Sequence, residues 1–309
     1  MPFRFRCFED IFSDELACSF HMVMVCPEDQ RTVEALSMAF HNGFVSGSTL
    51  IGDSARIKSL LERAELPDDK ISVIAAANEQ EAVSRGVALQ SEFLDSLLFA
   101  GKMTSQDFLD QYAAASENED IISRLSHIVL FEVPGFDRLI VVTDPTVHVA
   151  PRLPEKVMIL NNVIDFCHKL EWAKPLVALI AAIEKIDYMH MPHTIDSAAL
   201  VKMVQIGQIK GAVVDGPLAL DNAVSEHAAA VKGIRSPAAG AANVFMMPDA
   251  EAGVLLCKIL VYFAKARSAS VMVGDKAPIV FPSRSDNADA KFYSMKLACK
   301  LAGANRGIR

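Results

Sequence analysis

The feature that most constrains the fold is a repeated alternation of short apolar runs with segments of helical periodicity. Three strand–helix pairs come first, at residues 21–26 with 31–41, 48–51 with 55–64, and 71–76 with 79–88. Asn42 and Gly43 give the first of these helices a typical C-terminal signal. Such alternation predicts parallel strands joined by helices that cover both faces of a sheet.

A tight hairpin separates this series from a second one. Residues 90–125 are predicted to be mostly helical, with an interruption at Gly101, and residues 125–132 and 138–143 are predicted to be strands. Because only a short turn at Pro134 and Gly135 joins them, these two strands must be antiparallel. Further strands are predicted at residues 175–181, 211–214, 243–247, 271–274 and 279–281, and further helices at residues 155–169, 195–204, 218–230, 253–264 and 286–302. The two series predict two α/β domains, with the change from one to the other near Thr143.

Composition narrows the class of protein. The chain has 309 residues, of which 51% are hydrophobic, and a formal net charge of −8, which argues against a nucleic-acid-binding surface. Its six cysteines are scattered without a CxxC pair, which indicates reduced thiols in a cytoplasmic protein. No apolar run is long enough for a transmembrane helix, and the first residues lack the apolar core of a signal peptide.

Polar residues follow one of the strands of the second series. Asp215, Gly216 and Pro217 interrupt the apolar run at 211–214, and Asp221 and Asn222 lie near the start of the next predicted helix. The carboxyl end of a parallel sheet is where open α/β folds bind ligands. An ordinary strand–helix turn is the alternative interpretation of the same spacing.

A second polar group stands between the last predicted strand and the last predicted helix. It consists of Ser283, Arg284, Ser285 and Asp286. Ser283 or Asp286 could cap that helix, and Arg284 beside a helix N-terminus would create a positive site for an anion. A plain cap with a solvated arginine is the alternative, and the same alternatives apply to Asp144 after Thr143 and to Asp53 after Gly52.

Metal chemistry is the weaker interpretation of the remaining candidates. His190 and His193 lie in a Met-His-Met-Pro-His stretch that lacks the i, i+4 helical spacing of a zinc protease. Asp215, Asp221 and Asp249 carry ligands suited to Mg²⁺, but capping or turn formation is the favoured interpretation for each of them. His127, in a predicted strand, fits a hydrogen-bonded core position. No P-loop, nucleophile elbow or Gly-x-Gly-x-x-Gly motif is present.

Several stretches, taken together and in order, resemble the phosphate acetyltransferase and phosphate butyryltransferase family, and the butyryltransferase branch most. The resemblance is densest in GQIKGAVVDGPLALDNAVS (207–225), KGIRSPAAGAANV (232–244), MPDAEAG (247–253), YFAKARSASVMVGDKAPIVFPSRSD (262–286) and AKFYS (290–294). Weaker similarities are LIGD (50–53), LSHI (125–128) and VTD (142–144).

The resemblance implies reversible transfer of an acetyl or butyryl group between CoA and inorganic phosphate, by direct thiolate attack on an acyl phosphate. It implies two three-layer α/β/α domains with mainly parallel sheets and an interdomain cleft, as in isocitrate and isopropylmalate dehydrogenases. The C-terminal segment would return to the first domain, giving residues 1–142 with 271–309 as one domain and 143–270 as the other. It further implies CoA as a substrate, no permanently bound cofactor or metal, no nucleic acid or membrane partner, and a homodimer or larger homo-oligomer.

The resemblance also implies roles for particular residues. Ser283 would donate to the oxyanion or the acyl phosphate, and Arg284 would bind phosphate or the CoA tail. Asp286 is the candidate for thiol activation, although the base proposed in the acetyltransferase branch lies further along that helix, at the position of Ala290 here. The expected substrate-binding residues are Thr143, Asp144, His148, Asp215, Gly216, Pro217 and Asn222.

Departures from the family pattern leave a second interpretation open. His148 stands where the family has Asn, and Ala100, Ala241 and Val254 replace polar or charged residues. A catalytically degenerate relative that binds CoA or acyl phosphate is therefore the alternative to an active acyltransferase. A metal-dependent decarboxylating dehydrogenase, which shares the expected fold, is disfavoured because a matching acidic cluster is missing. Acyl-chain preference stays open, because one methylene changes binding by only about 1–3 kcal/mol.

Overall fold

The structure is a computed structural model that describes residues 5–13, 16, 18–93, 95–116, 118 and 120–307. These residues divide into two compact units. The middle unit comprises the described parts of Met1–Ile11 and Ser126–Ala266, and the flanking unit comprises those of Phe12–Leu125 and Arg267–Arg309.

Strands and helices alternate through most of the chain, as the periodicity predicts. The strands are β1 (Phe20–Val25), β2 (Val45–Gly52), β3 (Ile71–Ala75), β4 (Ser96–Ala100), β5 (Ser126–Glu132), β6 (Ile140–Thr143), β7 (Leu176–Ile180), β8 (Val213–Leu218), β9 (Val244–Met246), β10 (Arg267–Val273) and β11 (Ile279–Val280). The helices are α1 (Phe8–Phe12), α2 (Gln30–His41), α3 (Ser54–Leu61), α4 (Glu79–Glu92), α5 (Ser105–Ala115), α6 (Ile121–Arg124), α7 (Leu153–Lys169), α8 (His193–Gln205), α9 (Leu220–Val224), α10 (Glu226–Val231), α11 (Ala250–Tyr262) and α12 (Ala288–Asn305), with a short 3₁₀ turn at Asp68–Lys70.

The flanking unit has strand order β3-β2-β1-β4-β11-β10. β1 pairs in parallel with both β2 and β4, β2 pairs in parallel with β3, and β11 pairs in parallel with β4. β10 runs antiparallel to β11. The predicted parallel series is confirmed, and it brings the carboxyl ends of four neighbouring strands and of β11 to one edge of this unit's sheet.

β4 corrects the prediction that residues 90–125 are mostly helical. All five residues of Ser96–Ala100 are buried, and the strand lies between β1 and β11. A five-residue apolar run between two helical segments is too short for its periodicity to separate a buried strand from a helix. Pairing with β1, which is distant in the sequence, decides the outcome.

The middle unit has strand order β5-β6-β9-β7-β8. β5 and β6 form the predicted antiparallel hairpin, in which Ile128 lies opposite Thr143. β6, β9, β7 and β8 are parallel to one another, so their carboxyl ends share one edge. Phe131, Val142 and Phe245 contribute to the buried cluster on this sheet. The hairpin lies wholly within the middle unit, whereas the predicted boundary at 142/143 would cut through β6; the predicted extent of the domains stays a prediction.

The segment around Gly216 corrects a second prediction. The strand does not end at Val214, because β8 continues through Asp215, Gly216 and Pro217 to Leu218. Its register against β7 shifts after Ala178, so an extra residue is accommodated on β8. A bulge on an edge strand tolerates consecutive Gly and Pro residues. Pro has no N–H, and at such a position no neighbouring strand requires that donor.

Two helix predictions are also corrected. The predicted helix at 218–230 is two short helices, α9 and α10, because Ser225 leaves helical geometry and its side chain caps α10 by accepting from the Ala228 N–H. The last helix begins at Ala288 and is capped by Asn287, which accepts from the Ala290 N–H at 2.9 Å. Neither Ser283 nor Asp286 caps it. None of the helices in the described part of the chain is long and apolar enough to cross a membrane.

Candidate functional site

Ser283, Arg284 and Asp286 lie in the flanking unit, on the segment between β11 and α12. We call residues 281–287 the serine–arginine loop. Its first residue, Phe281, is buried, donates its N–H to the Ser270 carbonyl at 3.2 Å and accepts from the Ser270 hydroxyl at 2.6 Å. Its last residue, Asn287, caps α12. The loop is therefore held at both ends, while Arg284 and Ser285 are exposed and Ser283 is half-buried.

A closed turn shapes the centre of this loop. The Ser283 N–H donates to Asp286 Oδ2 at 2.9 Å, and the Asp286 N–H donates to the Ser283 carbonyl at 3.0 Å. The hydroxyl oxygens of Ser283 and Ser285 are 3.2 Å apart. Arg31, at the start of α2, donates to the Ser285 carbonyl at 3.3 Å. This turn presents a hydroxyl and an exposed guanidinium together, which are the donors that an anionic ligand needs.

Thr143 and Asp144 lie in the middle unit, where β6 ends. Thr143 is fully buried, and its hydroxyl donates to the His127 carbonyl at 3.1 Å. The Asp144 carboxylate accepts from three backbone N–H groups, those of Thr146 and Val147 at 2.8 Å and that of His127 at 3.2 Å. These bonds fix the loop that carries the half-buried His148. His127 is the hydrogen-bonded core histidine that its strand position predicts, with Nδ1 2.8 Å from the Thr146 hydroxyl oxygen.

Burial changes the acidity of Asp144. Loss of solvent raises the pKa of its carboxyl to about 6, although the hydrogen bonds from Thr146 and Val147 and the charge of His148 act in the opposite direction. A buried carboxyl with three N–H donors is suited to fixing a loop geometry rather than to reaching outward.

A pH dependence of stability follows from this raised pKa. The native state binds the Asp144 proton more tightly than the unfolded chain, so the stabilisation is present below about pH 4 and is lost as the pH rises through about 6. The difference in unfolding free energy between the wild type and Asp144→Asn measures this contribution. Between about pH 4 and pH 7 the difference is expected to shift against the wild type by up to about 3 kcal/mol. Denaturant titrations across this range measure it, and a difference that stays constant would contradict the assignment.

Asp215, Gly216 and Pro217 lie within β8, and Asn222 lies in α9. Asp215 Oδ1 accepts from the Gly216 N–H at 2.8 Å. A Cβ on Gly216 would lie 2.6 Å from Leu179 Cβ and 2.8 Å from the Leu179 carbonyl oxygen, so β7 approaches this position too closely for another residue. Asn222 is 0% exposed and therefore does not face solvent.

Asn222 instead belongs to a small charged cluster that was not predicted. Its amide nitrogen donates to Glu184, and its Oδ1 has no hydrogen-bond partner among the described residues. Lys232 Nζ bonds Glu184 and Asp221, each at 2.9 Å, and lowers the pKa of both carboxyls. Lys232 falls within one of the stretches that carry the resemblance, whereas Glu184 lies in a predicted loop where the sequence has no distinguishing signal.

Within each unit, the candidate residues share an edge of a sheet. In the middle unit, Thr143 ends β6, Glu184 follows β7, and Asn222 follows β8, and these parallel strands end at one edge. In the flanking unit, the serine–arginine loop follows β11, which is parallel to β4. Ligands of open α/β sheets bind at such edges.

Two of the remaining metal candidates, Asp249 and His190, have partners within the chain. Asp249 caps α11 by accepting from the Ala252 N–H at 2.8 Å, and His190 Nδ1 lies 3.1 Å from Asp187. Across the described ranges of the chain, no group of three or more His, Cys, Asp or Glu side chains is arranged to hold a metal ion.

The fold and these edges define an α/β protein with polar loops placed for ligand binding, and comparison with known proteins narrows the class. The model of the family described as "Phosphate acetyl/butaryl transferase" matches residues 89–299. The chain belongs to this family.

Individual relatives agree with that assignment. The chain is 37% identical over 271 residues to "Probable phosphate butyryltransferase" of Bacillus subtilis (strain 168), covering 88% of this chain and 89% of the relative. It is 35% identical over 281 residues to a phosphate acetyltransferase of Thermotoga maritima, covering 91% and 95%. The fold is similar to that of a branched-chain phosphotransacylase from Enterococcus faecalis V583, with a TM-score of 0.75 at 22% identity over 92% of this chain and 99% of that one.

Proposed function

We propose that this protein is a phosphate acyltransferase, which reversibly transfers a short acyl group, acetyl or butyryl, between CoA and inorganic phosphate. The observation that carries the proposal is the serine–arginine loop, in which Ser283 and Arg284 stand on a turn anchored at both ends. Family membership supplies the reaction class. The substrates would be acyl-CoA and phosphate in one direction, and acyl phosphate and CoA in the other.

The chemistry needs few groups. The CoA thiolate attacks the carbonyl carbon of the acyl phosphate, a C–S bond forms, the C–O bond to phosphate breaks, and phosphate leaves with the electron pair. Ser283 would donate to the developing oxyanion, which needs preorganised donors. Arg284 would bind the phosphate oxygens or the CoA tail through charge-assisted hydrogen bonds. Asp286 is the candidate acceptor of the thiol proton, with one of its oxygens already bonded to the Ser283 N–H.

The middle-unit residues would mainly position the substrates. The buried Asp144 holds the loop that presents His148, and Asn222 holds Glu184 at the strand edge. Asp215, Gly216 and Pro217 would shape the same edge. The isocitrate/isopropylmalate dehydrogenase-like fold that the resemblance implies is also proposed, with CoA as a substrate and no permanently bound cofactor. All six cysteines are free thiols, which supports a reducing, cytoplasmic location.

The reaction is tested with a panel of acyl donors. The purified protein would be incubated with acetyl-, propionyl- or butyryl-CoA, with and without inorganic phosphate, and free CoA would be followed with a thiol reagent. Phosphate-dependent release of CoA is expected with at least one donor. Thermal stabilisation by CoA without any release would instead identify a catalytically degenerate, CoA-binding relative.

We propose that the protein forms a homodimer, so that its protein partner is a second copy of the chain. Of the 14 large hydrophobic side chains that are exposed among the described residues, all but Phe93 lie in the middle unit. Five of them form what we call the α11 strip, on one side of α11 and just beyond its end: Val254, Leu255, Ile259, Tyr262 and Phe263. Each of them is between 42% and 83% exposed, and clustered exposed apolar side chains of this kind mark an interaction site.

The charges at the ends of the α11 strip favour a second copy over an unrelated partner. The exposed Glu251 lies at the start of α11, and the exposed Lys265 lies just past its end. Two copies of α11 packed antiparallel about a two-fold axis would bury both strips and place each glutamate near the partner copy's lysine. Such a self-complementary surface is what a two-fold homodimer requires.

Substitution of Leu255 by Asp is expected to weaken this homodimer by at least about 100-fold, since one change alters both copies of the buried strip. Light scattering coupled to gel filtration measures the mass. Phe93→Asp, which changes a side chain of similar exposure in the flanking unit, is the matched control and should leave the mass unchanged. A monomeric wild type, or a Leu255→Asp variant with unchanged mass, would contradict the proposed interface.

A further inference from the structure

A buried lysine lies under the serine–arginine loop. Lys291, in the first turn of α12, is 2% exposed, and its Nζ lies 3.5 Å from Asp29 Oδ2. Taking an ammonium group out of water costs several kcal/mol unless nearby charges compensate. Burial accordingly lowers the pKa of Lys291, and the charges of Asp29 and Asp286 oppose that effect.

The groups around Lys291 come from each element that meets the loop. Asp29 precedes α2 and also caps it, because its Oδ2 accepts from the N–H and the hydroxyl of Thr32 at 3.2 and 3.1 Å. Arg31, two residues further along, holds the Ser285 carbonyl and adds a second positive charge near Lys291. Asp286 accepts from the Ser283 N–H. Lys291 is thus a buried cation that pairs with the carboxylate preceding α2 and is also attracted by Asp286, the carboxylate that shapes the turn at Ser283.

We propose that Lys291 is a positioning residue for acyl transfer, whose buried charge, paired with Asp29, holds the serine–arginine loop in its reactive geometry. The inference rests on the proposed function. Lys291 acts through Asp286 and the Ser283 backbone, since its own side chain is enclosed.

The consequence of removing this charge differs from that of removing a merely structural contact. Removing one partner of a buried ion pair destabilises a fold to the extent that the other charge is left buried and unpaired. Asp29 is partly exposed and keeps its bonds to Thr32, so Lys291→Met is expected to lower the unfolding midpoint and still to fold. Misplacing a reacting group by about 1 Å lowers turnover about 10²-fold, so kcat is expected to fall by that factor while the KM for CoA changes less than about threefold.

The experiment measures kcat, KM and the unfolding midpoint for four variants, in the direction of CoA release. Lys291→Met should lose turnover even at temperatures well below its unfolding midpoint, where it is folded, and Lys291→Arg should recover part of kcat because it keeps the charge. Asp29→Asn keeps a good helix cap but removes the carboxylate, and should also lower kcat. Lys296→Met is the matched control, since Lys296 lies on the same helix and donates to the Phe12 carbonyl at 3.1 Å, away from the loop.

The outcomes separate this inference from the proposed function. Lys291→Met with kcat within threefold of the wild type would overturn the positioning role while the function stands. The same holds if kcat and the unfolding midpoint fall together in Lys291→Met and in Lys296→Met. Should Lys291→Met fail to fold, an unchanged kcat in Asp29→Asn would overturn it. A wild-type protein without turnover would instead contradict the proposed function.

Discussion

Arg284→Ala is expected to lower kcat/KM for phosphate-dependent CoA release by about 10³-fold. The guanidinium is exposed on a turn that is fixed by Ser283 and Asp286, so it is free to meet an anionic substrate without rearrangement of the backbone. Charge-assisted hydrogen bonds are about twice as strong as neutral ones, and loss of one preorganised donor typically costs about 10²–10³ in rate. Ser283→Ala should lower the rate by about 10²-fold through the same loss of a donor.

Stability distinguishes this effect from damage to the fold. Because Arg284 is exposed, its replacement should change the unfolding free energy by no more than about 0.5 kcal/mol. Arg63→Ala, which removes an exposed arginine elsewhere in the flanking unit, is the matched control and should keep wild-type turnover. If Arg284→Ala stayed within threefold of the wild type, the serine–arginine loop would not be the site of the chemistry.

Gly216→Ala is expected to destabilise the protein by about 3 kcal/mol or more. The added Cβ would lie 2.6 Å from Leu179 Cβ and 2.8 Å from the Leu179 carbonyl oxygen, so β7 and β8 would have to separate at the bulge. Overpacking in a close-packed interior typically costs about 1–3 kcal/mol, and here one of the contacts is to backbone that cannot rotate away. Denaturant-induced unfolding measures the change.

Gly233→Ala provides the comparison. Gly233 follows α10 with φ of +65°, but an added Cβ would meet nothing within 4 Å. Its cost should be limited to backbone strain of about 1–2 kcal/mol. Equal destabilisation by the two substitutions would show that crowding against Leu179 does not determine the need for glycine at position 216.

Local signals in the sequence predict most of the fold. The strand–helix pairs of the flanking unit and the β5–β6 hairpin follow from hydrophobic periodicity and from the turn at Pro134 and Gly135. β4 could not be predicted in this way, because its five apolar residues become a strand only through pairing with β1. The continuation of β8 past Asp215 has a similar origin, since the bulge that accommodates Gly216 and Pro217 depends on the register with β7.

In the candidate site, too, local stretches of sequence predict some residues, whereas others depend on contacts between distant parts of the chain. The stretches that resemble the family locate Ser283 and Arg284, and the structure has them on an accessible turn. Nothing in the spacing indicates that Asn222 is enclosed, because its partner Glu184 is 38 residues away in the sequence. The pairing of Lys291 with Asp29 brings together residues near opposite ends of the sequence, so no local pattern predicts it. Contacts between residues that are distant in the sequence therefore decide which polar side chains are exposed to a ligand and which ones fix the position of the exposed ones.

The most direct test of the central claim is to follow acyl-phosphate formation itself. Phosphorus NMR of the protein with acetyl-CoA or butyryl-CoA and inorganic phosphate should show a new acyl-phosphate resonance that grows as free CoA appears, in equal amounts. Addition of CoA to the corresponding acyl phosphate should regenerate the thioester. Release of CoA without an acyl-phosphate resonance, or release that does not require phosphate, would identify a thioester hydrolase and contradict the account.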